Sequence, residues 1–301
     1  YWQRIIQDQN TFDATWGGAV PDGVTNCTSA IQRVIDIMPA WKSLSFPNGT
    51  YICNTLKMKT MGVSWRGQDT LGTTIKFLQP TDCIKIMQEC VIEKMRIWGT
   101  GVYTHDALIV DEKGHNRADV DITLRNCYLS EAAFMLRIYG RGVIFDSCVS
   151  YNIRYAWLDL QFPAAEIFEP NAGNNGGLKQ AMRGYVFRNN RNHYSPCYFV
   201  DNRGWNSENA RGFLFVGNHL EGGTRFVIGA IREALVSGNI SYHRTAGWKY
   251  FECTTVEDLV ITGNTFHQFK DVDYPDIPDT AEFISVIGYT RNLIITNNSF
   301  S

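Results

Sequence analysis

The sequence of 301 residues has no apolar run of about 18 residues, the length that a membrane-spanning helix needs. Its first ten residues, YWQRIIQDQN, lack the apolar stretch of a signal peptide. Only 19% of the residues are charged, and 28 basic residues face 30 acidic ones. This balance produces no basic field that would attract a polyanion. We therefore expect neither a membrane nor a nucleic acid as a partner.

The eight cysteines form no CxxC pair and no tight group with histidine. A zinc site needs such groups, so we predict no metal and no other cofactor. Cysteine packs well as a small apolar residue, and buried thiols are the better interpretation of these eight residues.

One short phrase recurs along the chain: alternating apolar residues, a polar turn that usually holds Asn, and another apolar residue. Its copies cover 122–129, 143–150, 185–192, 214–220, 235–241, 260–266 and 294–300, with a weaker one at 91–98. The smallest spacing between turns is 21 residues. The turn positions are Asn126, Ser147, Asn189, Asn218, Asn239, Asn264 and Asn298.

A repeat of this length with period-two strands and no helical period predicts a coil of three short strands. Stacked coils form a parallel β-helix, in which Asn suits the turns because it tolerates the left-handed conformation and its amide can bond the next coil. Cys127 and Cys148 share one position after the turn, so we expect them in one internal stack. Leucine-rich and propeller repeats are disfavoured because neither frame is visible. We predict an all-β, right-handed parallel β-helix of about ten coils.

The N-terminal region is predicted to close the open end of this stack. Apolar residues at helical spacing indicate a helix from Thr28 through Met38, capped by Thr28 or a neighbour. Such a plug would cover the exposed strand edges of the first coil. We assign residues 1–45 to an entry segment with this capping helix and residues 46–301 to the β-helix. Because the chain begins without Met and stops within a repeat phrase, we expect it to be part of a longer chain with a C-terminal trimerising segment.

The first 80 residues also carry a specific family signal. The segment FDATWGGAVPDGVTNCTSAIQRVID, followed by SLSFPNGTYIC, resembles the N-terminal part of pectate-lyase-like β-helices, especially phage tailspike and capsule depolymerase proteins. Asn26 stands where that family commonly has Asp. The matching positions are Gly18, Asp22, Gly23, Thr25, Thr28, Ala30, Ile31, Gln32, Phe46, Pro47, Gly49, Thr50, Tyr51 and Gly67.

The resemblance implies an endo-acting enzyme that cuts a bacterial surface polysaccharide, forms a homotrimer and is carried on a virion tail. A secreted bacterial enzyme is the alternative location. Related families with the same fold include pectate lyases, polygalacturonases and non-catalytic appendages. The polygalacturonase signatures NTD, DD, GHG and RIK are absent here, and so is the RxPxxR pattern of pectate lyases.

The strand at 155–161 supplies the first candidate site residues. Strict alternation would direct Ala156, Leu158 and Leu160 inward and Tyr155, Trp157, Asp159 and Gln161 outward. Asp159 is then the best-placed acid, although a trimer interface could cover the same surface. Asp201 ends the corresponding strand of the next coil if residues 162–184 form one long loop. That loop would bring Glu166 and Glu169 within reach of the groove.

Turn residues should form a band on the same side as Asp159, because equivalent turns stack. The members are Glu131, Arg154, His193, Tyr194, Glu221, Arg225, His243 and Arg244. The loop residues Trp205 and Glu208 repeat the combination of an aromatic ring and an acid. Acids, bases and aromatic rings on one wall favour a carbohydrate groove.

We therefore predict glycoside hydrolysis of a capsular or lipopolysaccharide chain by paired carboxylates. Asp159 and Asp201 are the primary acid and base or nucleophile, and Glu221 is the substitute. A polysaccharide lyase that uses His193 or Tyr194 with Arg225 or Arg154 is the second hypothesis. A non-catalytic glycan-binding appendage is the third. The predicted substrate-binding residues are Arg154, Tyr155, Trp157, Gln161, His193, Tyr194, Trp205, Glu208 and Arg225.

Overall fold

A computed structural model describes residues 10–103, 106–111, 122–138, 142–160, 182–193, 199–201, 210–221, 226–243, 251–268, 284–286 and 288–301. These residues form helix α1 (Thr28–Ile37), a 3₁₀ helix (Ala14–Gly17) and a series of β-strands. The strands are β1 (Thr11–Asp13), β2 (Asp22–Asn26), β3 (Ser43–Phe46), β4 (Gly49–Cys53), β5 (Leu56–Met58), β6 (Val63–Gly67), β7 (Thr73–Phe77), β8 (Ile84–Ile86), β9 (Cys90–Glu93), β10 (Arg96–Trp98), β11 (Ala107–Asp111), β12 (Ile122–Arg125), β13 (Tyr128–Ile138), β14 (Val143–Asp146), β15 (Val149–Leu160), β16 (Met182–Arg188), β17 (Arg191–His193), β18 (Phe199–Asp201), β19 (Ala210–Val216), β20 (His219–Glu221), β21 (Phe226–Ser237), β22 (Ile240–His243), β23 (Phe251–Thr262), β24 (Thr265–Gln268), β25 (Ile284–Val286), β26 (Thr290–Thr296) and β27 (Ser299–Phe300).

Each strand pairs in parallel with the equivalent strand of the neighbouring coil, which builds three sheets. The first sheet contains β1, β3, β6, β9, β12, β14, β16, β19, the second halves of β21 and β23, and β26. The second contains β2, β4, β7, β10, the first parts of β13 and β15, and then β17, β20, β22, β24 and β27. The third contains β5, β8, β11, the later parts of β13 and β15, β18, the first parts of β21 and β23, and β25.

The chain visits the three sheets in turn, so each circuit makes one coil of a right-handed parallel β-helix. This confirms the predicted fold class. The interior is filled by stacked apolar side chains, and its largest fully buried members include Trp65, Trp157 and Tyr51. Stacking allows the core to grow with the number of coils while each coil contacts only its neighbours.

Helix α1 closes one end of this interior as predicted. Its apolar face, Ile31, Val34 and Ile35, is buried in the core. The predicted cap by Thr28 does not form: Cys27 is the N-cap residue and its side chain makes no capping bond, while Asn26 Oδ1 accepts a hydrogen bond from the Thr28 amide at 3.0 Å. The Thr28 hydroxyl instead accepts from the backbone amide of Asn54 at 2.7 Å. Parallel pairing already begins ahead of the helix, because β1 pairs with β3 and β2 with β4.

A column of side chains, buried except at its last member, runs through the turns between the first and second sheets. In each step an Asn Oδ1 accepts from the backbone amide of the residue one coil earlier, at 2.8–3.0 Å. We call this column the asparagine ladder. Its members are Asn190, Asn218, Asn239, Asn264 and Asn298.

Three of the turn positions predicted from the sequence lie one residue before the ladder position of their coil. Asn126, Ser147 and Asn189 adopt positive φ angles of 52°, 56° and 57°. They correspond to Gly217, whose φ is 65°, and not to the ladder. Turn and ladder occupy consecutive positions, and Asn is suited to both, which explains the error.

Cys127 and Cys148 continue the asparagine ladder toward the N-terminus, where the Cys127 amide donates to Cys148 Sγ at 3.4 Å. The expected internal stack of these two residues is therefore confirmed. No disulfide joins any of the seven cysteines in the described ranges, and all seven are buried. Burial raises the pKa of the Cys53 and Cys148 thiols.

The outer surface of the first sheet combines a charge ladder with an apolar stripe. Carboxylates alternate with arginines in successive coils: Glu93 lies 3.3 Å from Arg66, and Asp146 lies 2.7 Å from Arg188 and 3.7 Å from Arg125. One register row beside these charges is apolar over most of its length. This apolar stripe consists of Val91, Ile144, Val186, Leu214, Leu235, Val260 and Ile294.

Candidate functional site

The outer surface of the second sheet concentrates aromatic, cationic and histidine side chains. Side chains in register on parallel strands share one side of the sheet. One row contains Lys76, Trp98, Ser130, Tyr151, His193, Glu221, Tyr242 and His267. The neighbouring row contains Thr74, Arg96, Tyr128, Val149, Arg191, His219, Ile240 and Thr265. We call the surface formed by the exposed and partly exposed members of these two rows the ladder face; Ser130 and Thr74 are buried within it.

Glu221 lies between two imidazoles on the ladder face. Its Oε2 is 2.8 Å from His193 Nδ1, and its Oε1 is 3.6 Å from His219 Nε2. All three side chains remain partly exposed, Glu221 by 43%. The structure thus brings together two residues that the sequence selected separately, Glu221 and His193. A carboxylate that orients an exposed imidazole is a common arrangement for proton transfer.

Aromatic rings flank this carboxylate on the next coils. The Tyr242 ring lies 5.5 Å from the His219 ring and stacks on His267 at 5.0 Å with an angle of 13°. On the opposite side, Tyr151 lies in register with His193 and is 38% exposed. Exposed aromatic faces of this kind suit the stacking of sugar rings.

A buried polar network lies directly beneath the ladder face. Asn192 Oδ1 accepts from the Ser150 hydroxyl at 2.7 Å and from Trp157 Nε1 at 3.3 Å. Asn192 Nδ2 donates to the backbone carbonyl of Glu221 at 3.4 Å. Buried polar groups must be hydrogen-bonded to be tolerated, so this network fixes the backbone on which Glu221 and His193 stand.

The prediction that Trp157 faces outward is wrong. Its ring is fully buried and packs 5.6 Å from Phe145 and 6.4 Å from Phe187. Leu158 is buried as well, as predicted, so strict alternation fails at these two residues. The pairing of β13 with β15 shifts register just before them, between Ala132 and Phe134. This irregularity breaks the alternation, and Trp157 is a core residue that cannot stack on a sugar.

Tyr155 and Arg154 are exposed as predicted. Tyr155 is 41% exposed and lies 5.5 Å from the Phe134 ring. The guanidinium of Arg154 lies 5.7 Å from the ring of Tyr103. Both residues stand at the bend of β15 between the second and third sheets.

The sequence did not identify Tyr103, which joins Glu131 and Asn152 in a cluster at this bend. The Tyr103 hydroxyl donates to Glu131 Oε2 at 2.5 Å, and Asn152 Nδ2 donates to the same oxygen at 2.8 Å and contacts the hydroxyl. All three residues have positive φ angles between 52° and 63°. Burial and the hydrogen bond to Glu131 raise the pKa of Tyr103. The only sequence signal was a Glu in a turn position that elsewhere carries Asn or Gly.

Asp159 and Asp201 lie on consecutive strands of the third sheet, which confirms that a single coil spans the 42-residue gap. Their register differs by one residue. Asp159 lies opposite Arg137 and Val200, whereas Asp201 lies opposite Leu160. Their roles therefore remain predictions.

The prediction that the turn residues form a band on the same side of the β-helix as Asp159 is wrong. His193 and Glu221 belong to the second sheet, and Asp159 belongs to the third. The cause is the length of β15, which covers both sheets and bends at Asn152, where φ is 52°. The carboxylate of Glu221 and the strand of Asp159 thus occupy different sides.

Several predicted site residues lie outside the described residues: Gln161, Glu166, Glu169, Tyr194, Trp205, Glu208, Arg225 and Arg244. The backbone of His243 ends β22. Within the described ranges, no group of three or more His, Cys, Asp or Glu side chains is arranged to hold a metal ion. No helix among the same residues is long and apolar enough to cross a membrane.

No family model matches the sequence, and no curated protein matches it. Similar folds occur among solved structures. A chain described as Geobacillus virus E2 ORF18 shares 14% identity at a TM-score of 0.51, over 95% of this chain and 62% of that one. The Agl-KA catalytic domain shares 14% identity at a TM-score of 0.55, over 98% of this chain and 56% of that one. This chain thus spans about three fifths of their length, and the likeness shows the fold.

Proposed function

We propose that the protein binds a bacterial surface polysaccharide along the ladder face and cuts it internally by hydrolysis. The observation that supports this proposal most directly is the partly exposed Glu221 carboxylate, which lies 2.8 Å from His193 Nδ1 among aromatic side chains. Acid–base chemistry on a sugar chain needs such a carboxylate within reach of a glycosidic oxygen. The viral origin of one structural neighbour and the catalytic domain in another support a phage tailspike-type depolymerase, located on a virion tail.

In this mechanism Glu221 donates a proton to the glycosidic oxygen as the bond to the anomeric carbon breaks. Meanwhile a second carboxylate either takes a proton from the attacking water or itself bonds to the anomeric carbon; in the second case water later displaces it and gives a proton back to Glu221. Asp159 and Asp201 stand on the third sheet, so they are a separate candidate pair of acids and not the partners of Glu221. Glu131 is excluded as the partner of Glu221. Their strands, β13 and β20, are three strand spacings apart, or about 14 Å, and paired acids lie at most roughly 9.5 Å apart.

One observation favours elimination as a second candidate reaction. His193 Nδ1 is engaged by Glu221, which leaves Nε2 as the nitrogen that can accept a proton. A lyase would use it to remove the proton next to a uronate carboxylate, while the glycosidic oxygen leaves and a carbon–carbon double bond forms. The exposed Arg191, two residues earlier on the same strand, would neutralise that carboxylate.

Incubation with purified capsular and lipopolysaccharide chains tests these possibilities. A hydrolase releases new reducing ends without ultraviolet absorbance, a lyase releases absorbing unsaturated ends, and a non-catalytic appendage binds without releasing either. We expect Glu221→Gln to lower the rate of cleavage at least about 100-fold, within the usual contribution of acid–base groups. The matched control, Glu93→Gln on the first sheet, should keep the wild-type rate. Cleavage at the wild-type rate by Glu221→Gln would refute the site.

We also propose that the protein acts as a homotrimer whose subunits associate through the apolar stripe. The stripe crosses the first sheet over consecutive coils, and Ile294 at its end is 49% exposed. A row of apolar residues over several consecutive coils of an outer surface favours burial against another subunit. The charge ladder that runs beside it is satisfied within the chain, so it does not oppose association.

A further inference from the structure

A cluster of cations and aromatic rings lies on the ladder face four strands before Glu221. The Cζ atom of Arg96 lies 4.0 Å from the centre of the Trp98 ring and 4.7 Å from that of Tyr128. The Nζ atom of Lys76 lies 5.0 Å from the same Trp98 ring. We call these four residues the stacked cation cluster. None of them belongs to the site that the sequence predicted.

The two positive charges of this cluster are not neutralised by the described part of the protein. Neither Arg96 nor Lys76 forms an ion pair there, and Arg96 Nε is buried without a hydrogen-bond partner. On the first sheet, by contrast, Arg125 and Arg188 share Asp146 and Arg66 meets Glu93. The arginines of the first sheet thus have carboxylate partners, whereas the two cations of the cluster have none among the described residues.

The shape of the cluster suits a carboxylate on a sugar. The Arg96 guanidinium is planar and two ring contacts fix its orientation, and a planar guanidinium can bind a carboxylate through two hydrogen bonds. The rings of Trp98 and Tyr128 add apolar surface around that charge. A neutral sugar would use the rings and leave the two cations without a partner.

The position of the cluster links it to Glu221. Register runs from Trp98 through Ser130, Tyr151 and His193 to Glu221, a path on the order of 19 Å at the usual strand spacing. We propose that the stacked cation cluster binds a uronic-acid-type sugar of the same polysaccharide that reaches Glu221. This proposal rests on the proposed function, and it names the class of substrate as an acidic polysaccharide.

Calorimetric titration of the full chain tests the proposal with two probes of equal length. The first is oligogalacturonate, in which every sugar carries a carboxylate, and the second is its carboxyl-reduced, neutral form. We expect the acidic probe to bind at least tenfold more tightly. Arg96→Gln should lose at least tenfold of that affinity, and Arg96→Lys, which keeps the charge but not the planar group, should lose less. Lys85→Gln, on the third sheet, is the control for lost charge and should bind as the wild type.

Equal binding of the two probes, no binding of oligogalacturonate, or wild-type affinity in Arg96→Gln would each overturn the proposal. Circular dichroism of the variants confirms that they fold. Titration of Glu221→Gln separates this result from the proposed function. That variant should keep its affinity for oligogalacturonate. If it also cleaved bacterial polysaccharide normally, the catalytic assignment would fail while the acidic-sugar site stood.

Discussion

Asp146 determines the local charge balance on three neighbouring strands of the first sheet. It accepts from Arg188 at 2.7 Å and from the Ser147 hydroxyl at 3.0 Å, and Arg125 lies 3.7 Å away. The hydrogen bond from Arg188 is the largest cause that holds the pKa of this carboxyl below its usual range, against the effect of burial. Its ionised form is therefore preferred in the folded protein.

The sign of this shift gives a pH-dependent prediction. A carboxyl whose pKa is lowered on folding stabilises the protein above the unfolded pKa, about 3.9, and loses that contribution as pH falls through the folded value. Asp146→Asn should lower the free energy of unfolding by about 1 kcal/mol at neutral pH, a modest effect because Arg188 is half exposed. The deficit should shrink toward zero in strong acid.

Urea unfolding of the wild type and Asp146→Asn at several pH values provides the measurement. Asp36→Asn is the control, because Asp36 is 47% exposed and its contact with Lys59 is 3.9 Å long. A deficit of equal size in acid and at neutral pH would show that the loss is not electrostatic.

Individual side chains were the hardest part to infer from the sequence. Tyr155 was placed correctly, but Trp157 was not, because the register shift between β13 and β15 is a property of paired strands and not of either strand alone. His193 and Glu221 were both selected, yet their contact depends on a register across 28 residues. Tyr103, in the segment after β10, donates a hydrogen bond to Glu131, and no local sequence pattern predicts a contact across 28 residues.

The asparagine ladder shows how one repeated turn stabilises a stack of strands. Asn218 Oδ1 accepts from both the backbone amide and the side-chain amide of Asn190, while its own Nδ2 donates to Phe187 and Asn239. The side chain is buried, so no water can replace these bonds. Each Asn of the ladder thus provides hydrogen-bond partners for backbone amides and carbonyls that would otherwise be buried without one.

Two substitutions separate the ladder from the turn beside it. Asn218→Gly should destabilise the protein by about 3 kcal/mol, since it leaves buried amides and carbonyls without partners. Asn189→Gly should change the free energy of unfolding by less than about 1 kcal/mol, because Asn189 is exposed with φ of 57° and glycine adopts that conformation readily. Thermal or urea unfolding of both variants decides the matter. Similar losses in the two would contradict the assignment of Asn218 to a buried ladder.

The strand and turn pattern was readable from the sequence because each element repeats. The alternation, the smallest spacing of 21 residues and the capping helix each follow from local chemistry. The position of Asn126 and Asn189 was off by one residue, since a turn and a ladder accept the same residue type. The bend of β15 at Asn152 was also missed, and it moved Asp159 to a different sheet from Glu221.

Association of whole subunits should depend on the apolar stripe. Leu214 and Leu235 lie in register near its middle, and both are half-buried within one chain. Replacing both with Asp should convert the proposed trimer to monomers, because two charges would have to be buried at the interface. Sedimentation velocity measures the change in mass. Thr265→Asp, on the ladder face, should remain trimeric, and a double variant that kept the trimer mass would exclude the stripe as the interface.

The cysteines add a practical property to the whole molecule. The seven cysteines of the described ranges are spread from Cys27 near the capping helix to Cys253 in the third sheet and are all buried, and burial suppresses the thiolate form of those whose pKa is raised. A thiol reagent can therefore react with these seven only when a coil opens. Mass spectrometry after timed labelling would show which cysteine reacts first, and hence the order in which the coils separate, without any introduced probe.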